Sequence, residues 1–72
     1  MVTETVENIE PTIQLDQFMK LTGLVSTGGQ AKLAIQGGEV LLNGLVETRR
    51  KKKLKPGDQI TFHGQTVAVR LD

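Results

Sequence analysis

The amino-acid sequence predicts an α+β domain: two short N-terminal helices packed on a small three-to-five-stranded, mainly antiparallel sheet. Three observations carry this. Apolar residues recur at helical spacing only in the first half of the chain, at Leu15, Phe18, Met19 and Thr22 and again at Ala31, Ala34 and Ile35. Asn43-Gly44 lies between two apolar runs, the strongest short-range signal for a two-residue hairpin. After it, apolar and polar residues alternate at Ile60 and Phe62 and at Val67, Val69 and Leu71.

The first helix is expected over about 15–22. Asp16 suits the positive N-terminal end, Lys20 the C-terminal end, and Gly23 a left-handed exit. Leu24-Val25-Ser26 leads to a second helix that Thr27 and Gln30 open with capping-box spacing. Val25 is placed to staple that cap, and Gly37-Gly38 ends the helix. Gly28 and Gly29 are poor helix formers, which points to something approaching the backbone there.

In the hairpin, Leu42 should face Leu45 and Val40 should face Glu47, with Leu41 and Val46 on the other side and some burial on both faces. The run RRKKKLK at 49–55 carries charge on both strand faces, so it should project as an edge or loop, with Leu54 returning to the core. Lys55-Pro56-Gly57-Asp58 is a type II turn pattern. His63-Gly64-Gln65 turns the chain into a last strand.

Seventy-two residues make one domain at most. The reading divides the chain into a flexible acidic tail at 1–11 and a single folded domain at 12–72. There is no cysteine and only one histidine, His63, which leaves no disulfide and no Cys- or His-cluster metal site. No run approaches the roughly 20 apolar residues of a membrane span. The N-terminus has neither the basic nor the apolar region of a secretory signal. A cytoplasmic protein with no membrane partner and no cofactor is expected. Asp16, Glu39 and Glu47 form no evident acid–base pair, Ser26 has no histidine near it in sequence, and no phosphate-loop pattern surrounds Gly28-Gly29. The expectation is a protein that is not an enzyme.

The net charge of +1 conceals an asymmetry. Three glutamates (Glu4, Glu7, Glu10) crowd the first eleven residues, whereas six of the nine Lys and Arg residues fall within 49–55. Five consecutive cations repel one another unless anions relieve them, and phosphates do so with release of condensed counterions. The bland reading is a solvated face, and a nuclear-targeting peptide is a third. Placement inside the folded unit favours a fixed binding surface. With two Phe, no Trp and no Tyr, and both Phe on apolar faces, an aromatic platform for single strands is not expected. Structured RNA or duplex, met through phosphates, 2′-hydroxyls and shape, is the better match. A DNA-reading helix-turn-helix is disfavoured, because the second helix offers only Gln30, Lys32 and Gln36 to base edges. The alternative is a protein-interaction module that docks an acidic partner on the same basic patch.

The stretch Gln14–Phe62 resembles the S-four-type RNA-binding domain, named after small-ribosomal-subunit protein four. The matching pieces are LDQFMKLTGLVSTGGQAK, GGEVLLNG and VETRRKKKLKPGD, in collinear order over roughly two-thirds of the chain. The resemblance implies the alpha-L motif and non-enzymatic binding of structured RNA. Ribosomal RNA comes first, with tRNA or another stem-loop as alternatives, and the ribosome is a partner. It looks most like the bacterial stand-alone version, a ribosome-associated monomer. Carried over by position, the RNA-facing residues are Lys20; Ser26, Thr27, Gly28, Gly29 and Gln30 at the start of the second helix; Lys32; Asn43; and Arg49, Arg50, Lys51, Lys52, Lys53 and Lys55. The chain departs from the family at Gln14, often Arg, and at Gly28 and Leu33, often basic. These departures shift weight onto the 49–55 run.

Overall fold

A computed structural model describes residues 12–70; the acidic tail expected at 1–11 and Leu71 lie outside the described residues. The elements are β1 (Ile13–Gln14), α1 (Leu15–Leu21), α2 (Gly28–Gln36), β2 (Val40–Leu42), β3 (Leu45–Val46), β4 (Lys53–Leu54), β5 (Gln59–Phe62) and β6 (Gln65–Ala68). The strands form an antiparallel four-stranded sheet in the order β3-β2-β5-β6 and a separate two-stranded ladder of β1 with β4. The four-stranded sheet lies within the expected range. The β1–β4 ladder was not foreseen, because a two-residue strand leaves no periodicity to read.

α1 ends one residue earlier than expected. Thr22 caps it, exposed rather than buried, with its hydroxyl donating to the Phe18 carbonyl at 2.8 Å. Gly23 then takes φ +80°, where a side chain would strain the backbone. Thr27 opens α2 as the spacing predicts: its Oγ1 accepts the Gln30 N–H at 3.1 Å, and Gln30 Oε1 accepts the Thr27 N–H at 3.2 Å. The buried faces of the two helices, Leu15, Phe18 and Met19 against Ala31, Ala34 and Ile35, meet Val25, Val40, Leu54, Ile60 and Val69 in one core. The small Ala31 and Ala34 let α1 approach α2 closely.

The Asn43-Gly44 hairpin has the expected register, with Leu42 opposite Leu45 and Leu41 opposite Val46. Asn43 at φ 53° and Gly44 at φ 86° give the turn its right-handed match to the strands. Burial on both faces does not extend to β3. It is an edge strand that no element among the described residues covers, and Leu45 is 74% and Val46 57% exposed. Phe62 also departs from expectation. Phe18 is core, but Phe62 is only half-buried: it packs against the core from its margin and borders an open cavity beside the link between α1 and α2.

The hairpin is joined to the Pro-Gly turn by a side-chain network. Asn43 Nδ2 donates to Asp58 Oδ1 at 3.1 Å, and Asn43 Oδ1 accepts the Gln59 N–H at 2.9 Å. The second Asp58 oxygen accepts the Lys55 N–H at 3.0 Å, which closes the turn in which Gly57 takes φ +97°. Val69 leaves the β6 ladder to donate its N–H to the Asp58 carbonyl at 2.8 Å. Burial raises the Asp58 pKa, but the Lys55 and Asn43 hydrogen bonds and the charges of Lys55 and Lys52 outweigh it and hold it below the ordinary value. Asp58→Ala leaves the Lys55 N–H and Asn43 amide short of an acceptor and is expected to cost about 1–3 kcal/mol of stability. Urea unfolding followed by far-UV circular dichroism measures it, since the chain has no Trp or Tyr to report.

Candidate nucleic-acid interface

The basic run does not hang free. The first N–H groups of a helix have no partner within it, and in α1 the loop at 49–52 supplies them. Leu15 N–H donates to the Lys52 carbonyl at 2.8 Å and Asp16 N–H to the Arg50 carbonyl at 3.0 Å. The run then enters β4, where Lys53 pairs with Gln14 and Leu54 with Ile13, and Leu54 is buried as expected. Backbone bonds on one side and a buried leucine on the other thus fix the path of the cationic segment.

Two carboxylates lie under the same loop. Glu47 Oε2 accepts from Arg49 Nε at 2.9 Å and from the Arg49 backbone N–H at 3.0 Å, and its Oε1 accepts from Arg49 Nη2 at 3.2 Å. The hydrogen bonds from Arg49, first from its side chain and then from its backbone, lower the Glu47 pKa to about 2 against desolvation, with the charges of Arg49 and Lys52 adding less, and the Arg49 pKa is raised in return. Lys51 Nζ sits 3.3 Å from Asp16 Oδ2, and Asp16 Oδ1 accepts the Gln17 N–H at 2.8 Å. Among the described residues, Arg50, Lys52, Lys53 and Lys55 form no ion pair, and Arg50 and Lys52 are half-buried. Six cations therefore face three carboxylates (Asp16, Glu47, Asp58), and the loop keeps a positive surplus.

The helical candidates gather at the far end of α1, one seven-residue helix or roughly 10 Å away. Lys20 is exposed in its last turn, just before the turn that leads to α2. Ser26, Thr27, Gly28, Gly29 and Gln30 are all exposed, as is Lys32 one turn on. Apart from the chain neighbours and the backbone of α2 itself, no atom of the described residues lies within 4 Å of where a Gly28 Cβ would be, and at Gly29 only the Thr27 hydroxyl, at 3.9 Å, does. Packing within the chain therefore does not explain these glycines, and the first turn of α2 opens to solvent. Asn43 stands apart from both groups: its side-chain oxygen and nitrogen both bond within the fold.

The anionic supports Asp16 and Glu47 were not legible as part of the site. Glu47-x-Arg49 is a local pair readable from its spacing, whereas Asp16 and Lys51 lie too far apart in sequence for any local rule. No cluster of His, Asp or Glu suited to a metal ion occurs among the described residues. No helix among the described residues is long and apolar enough to cross a membrane.

Two short helices packed on an antiparallel sheet, with a cationic loop clasped to the first helix, define an α+β domain of the alpha-L RNA-binding type. The chain belongs to the S4 domain family, whose model matches residues 6–70. It is 41% identical over 59 residues to the Escherichia coli (strain K12) protein named "Putative RNA-binding protein YbcJ", covering 82% of this chain and 84% of that one. It is 40% identical over 52 residues to the Bacillus subtilis (strain 168) protein named "Probable ribosome maturation protein RlbA", covering 72% and 73%. No solved structure matches it significantly.

The lowered Glu47 pKa has a pH signature. A carboxylate whose folded pKa lies below its unfolded value stabilises the fold above the unfolded value and loses that contribution as pH falls through the folded one. Stability is expected to fall from about pH 4.5 towards pH 2, with Asp58 adding in the same direction. Glu47→Gln should cost about 1 kcal/mol at pH 7 and make the acid limb shallower. Denaturation midpoints measured between pH 2 and 7 for both proteins check this.

Proposed function

We propose that the domain binds structured RNA, ribosomal RNA foremost, without catalysis and as a monomer in the cytoplasm. The observation that carries this reading is the cationic loop at 49–55, whose backbone is bonded to the first turn of α1. A charge cluster held in place loses little conformational entropy when phosphates bind it. The names of the relatives, one RNA-binding and one of ribosome maturation, point the same way. Arg50, Lys52, Lys53 and Lys55 meet phosphates directly, while Arg49 and Lys51 exchange part of their carboxylate contacts for them. The open first turn of α2 offers the Gly28 and Gly29 N–H groups, with Lys20 and Lys32 on either side. Asn43 serves by holding the hairpin on the Pro-Gly turn.

With roughly four to six phosphates neutralised, log K against log salt should have a slope of about −3 to −5. Filter binding of an rRNA stem-loop across a salt series measures it, and a flat dependence would sink the electrostatic reading. Charge reversal at Arg50 and Lys52 together should abolish binding while the circular dichroism spectrum is retained. A folded double variant with unchanged affinity would move the site elsewhere. Recovery of an acidic protein in place of nucleic acid, read from the 260/280 nm absorbance ratio of the purified protein, would favour docking on a protein.

A further inference from the structure

The half-buried Phe62 borders an open cavity of about 380 Å³ that it shares with Gly23, Leu24, Val25, Ser26 and Gln30. The volume is in the range of small-ligand sites, roughly 300–1,000 Å³. The walls differ in chemistry. Leu24, Val25 and the Phe62 ring supply an apolar side, and Ser26 and Gln30 a polar one. The Phe62 ring is held in position by a stacked neighbour. The His63 imidazole stacks on it with centroids 3.9 Å apart and planes 18° from parallel, and His63 Nε2 in turn lies 2.7 Å from Glu39 Oε1.

Gln30 is oriented as well. Its Oε1 accepts the Ser26 N–H at 2.7 Å and the Thr27 N–H at 3.2 Å. An amide oxygen used in this way leaves the NH₂ group as the free donor of Gln30, and Ser26, with its hydroxyl, lines the same cavity. A planar ligand with an aromatic face and acceptors along one edge fits this pattern, and in RNA an unpaired nucleobase has both.

We propose that the cavity receives one unpaired nucleobase of the bound RNA, stacked on Phe62 and read along an acceptor edge by Gln30 Nε2 and Ser26 Oγ. This rests on the RNA-binding reading above and narrows its substrate class to structured RNA with a bulged or looped-out nucleotide beside a helix. It also supplies the base contact that the phosphate-binding loop lacks.

The test uses the full chain and two RNA hairpins identical except for a single bulged nucleotide, each titrated at one salt concentration. The wild type is expected to prefer the bulged hairpin. Phe62→Leu keeps an apolar side chain but removes the aromatic face. It should weaken the bulged hairpin by between roughly 5- and 150-fold, the range for loss of one base–aromatic stack, and leave the paired hairpin unchanged. Ser26→Ala keeps the backbone N–H that Gln30 uses and should weaken only the bulged hairpin. A 2-aminopurine at the bulge should lose fluorescence on binding to the wild type and not to Phe62→Leu. Equal affinity of the wild type for both hairpins, or an equal loss on both in a folded Phe62→Leu, would overturn the base site while leaving the phosphate reading intact. Failure to bind either hairpin would overturn both readings.

Discussion

The first turn of α1 needs hydrogen-bond acceptors that α1 itself does not have. Seven residues are too few for a helix to persist alone in water, and the unpaired N–H groups at its start would make burying that end costly. The carbonyls of Arg50 and Lys52 meet Leu15 and Asp16 there. One set of bonds therefore does two things: it completes a marginal helix, and it takes a segment that would otherwise be a repelling, solvated string and gives it a fixed course. Asp16, at the same turn, favours the helix dipole and draws in Lys51. Because helix and loop hold each other, loosening either releases both.

A second set of bonds keeps the sheet in step with this clasp. The loop leaves β3 at Glu47 and returns as β4, so its two ends must be held at a constant separation. Asn43 and Asp58, fifteen residues apart, tie the hairpin before the loop to the turn after it. The VLLNG and PGD segments are in contact through these two side chains. Their pairing reflects a frame for the cationic loop, and the Asn43 side chain is committed to that frame.

Much of the scaffold could be read from the sequence because it obeys local rules. The Thr27–Gln30 box, the left-handed Gly23, the Asn43-Gly44 turn and the return of Leu54 each follow from a few adjacent residues. What escaped was set by contacts distant in sequence or by elements too short to show a period. β1 is two residues long, the Asp16–Lys51 pair spans most of the domain, and no element among the described residues covers β3. Phe62 was misjudged for a related reason. Alternation places it on the inner face of β5, but alternation cannot say that a cavity opens beside that position.

The outer face of α2 explains why the loop bears so much of the charge. Leu33 is 74% exposed, and Leu21 at the end of α1 is 77% exposed. The helical surface therefore presents apolar side chains and backbone donors more than cations, leaving Lys20 and Lys32 as its cationic contribution between Leu15 and Gln36. Phosphate contacts set orientation and strength but carry no direct sequence information, whereas groups that reach a base do. A domain with its cations on one loop and its shaped, less charged surface near the start of α2 separates those two tasks along the length of α1. In the proposed reading, the loop supplies the phosphate contacts and the cavity beside Phe62 the contact that discriminates among RNAs.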